Sequence, residues 1–301
     1  MNPNLDHLPE GKRQELELVL EILFRAFEEA TRNKGPRKQG RILKVVLFGS
    51  YARGDWVDDP VGGYKSDYDL LIVVDNDELT DIAEYWTEAD ARLQQAFELA
   101  RTLSAPAQFI VHSYADVNDQ LTRGRPFFTD IAKDGIALYD DEAHPFAKPA
   151  KLSPRAAYDE ALANFEQWFP SAGRFLINGR EDAAREWNKE AAFLLHQAAE
   201  RFYHCALLTM TLYSTKSHNL NFLRGQAERV EPALIPAWPR ADRDEKRTWE
   251  LLRRAYVEAR FSPKYAISGE QLAFLVARIT DLQQRVERSC RAYLETIRPK
   301  G

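Results

Sequence analysis

Two short apolar runs, residues 43–48 and 68–74, are separated by Gly49-Ser50, a polar stretch and the triplet Asp67-Tyr68-Asp69, which opens the second run. No other part of the chain constrains the fold as much. Apolar runs of this length bounded by turn residues are the pattern of buried strands, so the stretch predicts strand, tight turn, loop and strand. Side chains alternate across a strand, which puts Asp67 and Asp69 on the same side of the second one. Two carboxylates that close repel each other. A divalent cation offsets the repulsion, and hard cations such as Mg²⁺ take carboxylate oxygens. Gly49 and Ser50 stand where the first strand turns into a helix, so their backbone N–H groups and the Ser50 hydroxyl could hold phosphate oxygens. Arg53 and Lys65 flank this turn, either as cations for a triphosphate or as solvated loop charges. An Asp-x-Asp pair or a Gly-Ser turn alone says little; the two in this order point to nucleotide chemistry.

In Gly49, Ser50, Asp67 and Asp69 the stretch resembles the nucleotidyltransferase superfamily of DNA polymerase beta, and within it the minimal and antibiotic nucleotidyltransferases. The resemblance implies a mixed sheet with flanking helices. It implies Mg²⁺ on Asp67 and Asp69, with the phosphates of a nucleoside triphosphate on Gly49 and Ser50. The reaction it implies is transfer of a nucleoside monophosphate (AMP from ATP) to a hydroxyl on a protein, an RNA end or a small molecule. Sixteen residues, 51–66, separate Ser50 from Asp67, more than that family usually has. The surplus, residues 56–64, contains Pro60 and Gly62-Gly63 and reads as an inserted loop, a lid or a partner contact. Its Trp56 and Tyr64 either stack on a base or anchor the loop.

Around this stretch the periodicity predicts a helix over 10–33, another over 80–103, a third strand over 107–112, short helices over 116–121 and 127–133, and a strand over 136–139. The third strand bears on mechanism. Members of the resembled superfamily usually carry a third carboxylate there, and the best register puts Gln108 in its place. An amide is no general base. His112, four residues on and on the same strand face, is the candidate for a catalytic role in its stead, and Asp116 a more distant carboxylate.

The patterning changes after residue 140. Residues 140–153 carry two prolines, mixed charges and no periodicity, and read as a linker. Ser153-Pro154 is a helix start. Helices follow over about 154–177, 181–213, 218–230, 242–261 and 268–297, with breaks at Gly179, Ser217, 232–239 and Ser262-Pro263. Residues 191–208, Ser217 to Leu220 and 255–265 resemble the HEPN domain, an all-helical bundle often fused to minimal nucleotidyltransferases. The reading is therefore α+β: a nucleotidyltransferase domain over 1–142, a linker over 143–152 and a HEPN-like all-α bundle over 153–301. The helical half is expected to recognise the acceptor or to form a homodimer. Ribonuclease-active HEPN domains carry Arg followed by His. Here Arg260 is followed by Tyr265, so cleavage of RNA is not expected unless a histidine such as His218 serves. His196, Glu200 and His204 share a helical face with metal-ligand spacing, but read better as packing and hydrogen-bonding residues. The alternative to an enzyme is a nucleotide-binding sensor, a regulatory module of toxin–antitoxin type.

The chain's 301 residues suffice for two domains, and its net charge of −5 argues against sequence-independent binding to nucleic acid. Two cysteines give no disulfide framework, the N-terminus has no apolar signal region, and no apolar run reaches membrane length. These features predict a cytoplasmic protein.

Overall fold

The computed structural model describes residues 4–32, 40–59, 64–215, 217–239 and 242–299. The chain divides into two compact units, residues 1–151 and 152–301. In chain order the first contains α1 (Glu10–Thr31), β1 (Ile42–Phe48), the short helix α2 (Gly49–Arg53), β2 (Asp58–Asp59), β3 (Tyr64–Lys65), β4 (Tyr68–Val74), α3 (Thr87–Glu98), β5 (Ala107–Ser113), α4 (Tyr114–Thr122), α5 (Pro126–Asp134) and β6 (Ile136–Asp140). Four strands form one mixed sheet in the order β5-β4-β1-β6. β1 runs antiparallel to both of its neighbours, and β4 runs parallel to β5. Every residue of β1 and β4 is buried, which is why their sequences read as continuous apolar runs.

The sheet has two unlike faces. Val45, Leu47, Leu70, Ile72 and Val111 form one core with Leu16, Val19 and Leu23 of α1 and with Ala89 and Leu93 of α3. Alternation sends Val46, Phe48, Asp69, Gln108 and His112 to the other face. There α5 closes over the strands, with Phe127 edge-on to Phe48 at 5.6 Å and Phe128 edge-on to His112 at 5.1 Å. The expected single helix over 80–103 is instead a 3-10 turn (Asp77–Thr80), one π turn (Ile82–Trp86) and then α3. Trp86 accounts for the wider turn. Its indole is fully buried, stacks on Phe27 at 5.0 Å and donates to the Leu79 carbonyl at 2.7 Å, so it anchors the wider turn in the core. The segment after β6 is laid along α4: the Ala147 N–H donates to Asn118 Oδ1 at 2.7 Å and the Ala150 N–H to the Leu121 carbonyl at 2.9 Å.

The second unit is helical, with α6 (Pro154–Ala184), α7 (Asn188–Thr211), α8 (Leu220–Val230), α9 (Arg243–Phe261) and α10 (Gly269–Ile297). The sequence marks the starts clearly. Ser153 caps α6 with Pro154 behind it, and Ser268 and Gln271 form a reciprocal capping box on α10. α7 runs through the centre, and α6, α8, α9 and α10 all pack on it. The expected break at Gly179 is absent: α6 continues through Pro170 and Gly179 to Ala184. A Cβ on Gly179 would stand 3.1 Å from the Leu195 side chain and 3.3 Å from its backbone nitrogen, so this glycine permits close approach of two helices. The chain turns at residues 185–187, where Glu186 adopts φ +61°. Residues Pro232–Ala237, expected as a break, form a 3-10 turn. Cys205 and Cys290 are free thiols in the core, and no described helix is long and apolar enough to cross a membrane.

Candidate active site

Phe48, the last residue of β1, pairs with Asp69, the second residue of β4. The turn that leaves β1 therefore begins beside the buried aspartate. Gly49 holds φ +75°, the left-handed region that suits glycine, and this swings the chain from extended strand into α2. Ser50 is only 7% exposed, and its Oγ has no hydrogen-bond partner among the described residues. Leaving a buried hydroxyl unbonded costs roughly 1–3 kcal/mol, a penalty that a ligand oxygen would remove. Asp69 is 1% exposed, and Asp67, just before β4, is half-buried. Two carboxylates at the start of β4 and a hydroxyl on the turn that leaves its partner strand supply hard-oxygen donors. That fits Mg²⁺, which is commonly held by one or two carboxylates while substrate phosphates and water complete its shell. Among the described residues no group of three or more His, Cys, Asp or Glu side chains is arranged to hold a metal by itself.

Arg53 ends α2, is exposed, and pairs with Asp55 at 3.3 Å. Its charge reaches Asp130 on α5. Burial raises the Asp130 carboxyl and Asp134 adds to the rise, with Lys133 and Arg53 opposing it. Lys65 pairs with Asp58 through its backbone; its side chain, like that of Tyr64, lies outside the described residues. Trp56 lies flat on Tyr51, with ring centres 5.3 Å apart and planes 8° apart.

Asp69 pairs with Gln108 in parallel register, so a half-buried amide flanks the buried carboxylate. His112 pairs with Val73 instead, four residues along the strand. At about 3.3 Å per residue that is roughly 13 Å from Asp69. There its Nδ1 sits 2.6 Å from Asp116 Oδ2. The structure thus gathers Gly49, Ser50, Asp67, Asp69 and Gln108 at one end of the sheet face and sets His112 and Asp116 at the other. That far end also holds Lys44, the one charge within the apolar run of β1. It is 2% exposed, ion-paired with Asp140, and 5.2 Å from the Phe146 ring. A lone lysine inside a strand was the sequence signal for this contact.

In the helical unit Glu200 is the centre of a polar cluster. His196 Nε2 lies 3.4 Å from it, His204 Nε2 4.0 Å and His218 Nδ1 3.1 Å. His196 donates Nδ1–H to the Leu252 carbonyl at 2.9 Å, and His204 Nδ1 meets Ser214 Oγ at 2.6 Å. His218 stacks on Tyr256 at 4.3 Å, and the Arg260 guanidinium lies 4.5 Å from the same ring. Tyr265, five residues after Arg260, is buried and donates its hydroxyl to the Leu251 carbonyl at 2.9 Å, so it serves the core.

Burial by itself would raise the Glu200 carboxyl, but the imidazoles of His196 and His218 outweigh it and the group titrates below its ordinary 4.5. Burial also pushes His204 below its ordinary 6.5, against the pull of Glu200. Both shifts mean that the unfolded chain binds more protons, so acid destabilises this unit. The Glu200 contribution is complete above pH 4.5 and is lost as pH falls through the lower folded value; that of His204 begins to fall off below 6.5. Melting temperatures of wild type and Glu200→Gln are expected to converge as pH drops below 4.5, where wild type gains the proton the amide mimics. A gap that stays constant with pH would remove Glu200 from the linkage.

Comparison with known proteins divides the chain in the same sense. Residues 34–142 match the family "Polymerase beta, Nucleotidyltransferase", and residues 165–289 match the HEPN domain. A protein of Methanocaldococcus jannaschii named "putative protein adenylyltransferase" is 43% identical over 53 residues, which is 18% of this chain and 47% of that protein. The match thus spans about half of that relative's length.

Proposed function

The chain joins a nucleotidyltransferase domain of the polymerase beta type to a HEPN domain, and from that pairing we infer that it transfers AMP from ATP to an acceptor hydroxyl on a protein. The observation that supports this reading is the Phe48–Asp69 register, which starts the turn carrying Ser50 next to the strand position of the buried Asp69. The name of the Methanocaldococcus relative favours a protein acceptor over RNA or a small molecule. We take residues 1–142 and 153–301 as the two domains and 143–152 as their connection, with the helical domain recognising the acceptor or pairing with a second copy.

In this mechanism Asp67 and Asp69 hold Mg²⁺, which when bound neutralises charge on the phosphates and the leaving pyrophosphate. The Gly49 and Ser50 N–H groups and the Ser50 hydroxyl bind the outer phosphates. Arg53 and Lys65 are the cations assigned to the triphosphate in this reading. The sheet holds these groups in fixed positions, and most of the rate gain in such a transfer comes from positioning and charge stabilisation. The acceptor oxygen attacks the α-phosphorus, the bond to the bridging oxygen breaks, and pyrophosphate departs. With Gln108 beside Asp69 there is no third carboxylate at this position to take the acceptor's proton, and this observation favours the second reading, a sensor that binds Mg-ATP and does not turn it over. One assay separates the two. ATP labelled in the α-phosphate is expected to label a protein band in Mg²⁺-containing lysate, whereas ATP labelled in the γ-phosphate is not. Tight Mg-ATP binding with neither band labelled nor pyrophosphate released would establish the sensor.

A further inference from the structure

We infer that Trp56, at the start of the inserted stretch, acts as a positioning element for the phosphate turn, and not as a stacking platform for the base; the inference rests on the transferase reading above. α2 has five residues, too few to hold a helical conformation by itself, so its neighbours must set its orientation. Tyr51 follows Ser50 directly and is the contact through which they do so. Its ring is held between the Trp56 indole and the Tyr68 ring, whose centre is 4.3 Å away. The Tyr68 side of this stack is fixed by its hydroxyl, which donates to Glu15 Oε2 at 2.8 Å. The same oxygen accepts the Ser104 N–H at 2.9 Å, so the chain of bonds ends on α1 and on the segment before β5. On the backbone side His7 Nε2 donates to the Tyr51 carbonyl at 2.8 Å, and its ring lies edge-on to Trp56 at 6.4 Å.

The insertion reaches the carboxylate pair as well. The Val57 N–H donates to Ser66 Oγ at 2.9 Å, and the Ser66 N–H donates to the Val57 carbonyl at 2.8 Å. Trp56 therefore touches the residue after Ser50, while its chain neighbour is bonded to the residue before Asp67. The Trp56 indole and the Val57 backbone together tie the two halves of the site to one another. A base platform is the poorer account on geometry. Tyr68 and Asp69 are consecutive strand residues and point to opposite faces of the sheet. The Tyr68–Tyr51–Trp56 stack is built on the face away from the Asp69 carboxylate, and Tyr51 already covers one side of the indole.

Calorimetry with Mg-ATP and with Mg-tripolyphosphate, which has no base, tests the assignment on the full chain. Trp56→Ala is expected to weaken both ligands by about ten-fold, because the phosphate turn loses its fixed geometry. Trp56→Phe, which keeps a ring on Tyr51, is expected to restore both to within about two-fold of wild type. In the transfer assay the alanine change raises KM more than it lowers kcat. Circular dichroism and melting confirm that each variant folds. A loss confined to Mg-ATP, or Trp56→Ala binding both ligands as wild type does, overturns the positioning role and leaves the transferase reading standing. Wild-type protein that binds neither ligand overturns both.

Discussion

Replacing Asp67 and Asp69 together with asparagine is expected to reduce nucleotidyl transfer about a thousand-fold or more while leaving both units folded. The size follows from what the pair does. Transfer of a phosphoryl group involves little covalent chemistry by the protein, so removing both charges that hold the cation removes most of the available stabilisation. Asparagine matches aspartate in shape and retains a carbonyl oxygen, so the packing around the 1% exposed Asp69 is preserved. Without metal the variant should melt at the same temperature as wild type or higher. Two buried or half-buried carboxylates near each other disfavour the folded state, and neutralising them relieves that repulsion. The α-phosphate label and a melting curve in EDTA measure the two effects side by side. Wild-type transfer in the double variant would take the pair out of the mechanism. A collapsed melting curve would instead assign the two residues a structural role.

The strands and the turn were legible because their signals are local and redundant. The residues from Leu43 to Val74 combine burial pattern, turn chemistry and charge placement, and all three agree. The register of Gln108 against Asp69 could also be read, since pairing a parallel strand by its apolar face leaves few choices. His112 shows where that reading ran out. Sharing a strand face is a statement about direction, and the distance along the strand was what decided its neighbours. Gly179 misled for a different reason. A helix breaker acts through local cost, about 1 kcal/mol for glycine, and the packing of α6 on α7 exceeds it. Trp56 was ambiguous because an aromatic residue in a loop has the same composition signal whether it meets a ligand or a neighbour. The stack with Tyr68 joins residues that only the fold brings together.

Gln108→Glu is expected to raise the rate of transfer about a hundred-fold, the usual contribution of one well-placed general base. The substitution is nearly isosteric and sits on the sheet face that already carries Asp69. A carboxylate there has what the amide lacks, a lone pair basic enough to take the proton of the attacking hydroxyl. The gain should appear in kcat, with the KM for ATP little changed, because phosphate binding belongs to the turn at Gly49 and Ser50. The pH profile should acquire a limb that rises as the new carboxyl ionises. That ionisation carries its own cost. A third negative charge beside Asp67 and Asp69 lowers stability when no cation is present, so the variant should melt below wild type in EDTA and recover with Mg²⁺. The same variant also separates the two readings of the wild-type chain. A sensor that binds Mg-ATP without turnover would gain transfer from nothing, and a slow transferase would gain it from a measurable base. A folded variant that binds Mg-ATP as tightly as wild type yet transfers no faster would show that position 108 does not limit the reaction, and that the acceptor's proton leaves by another route.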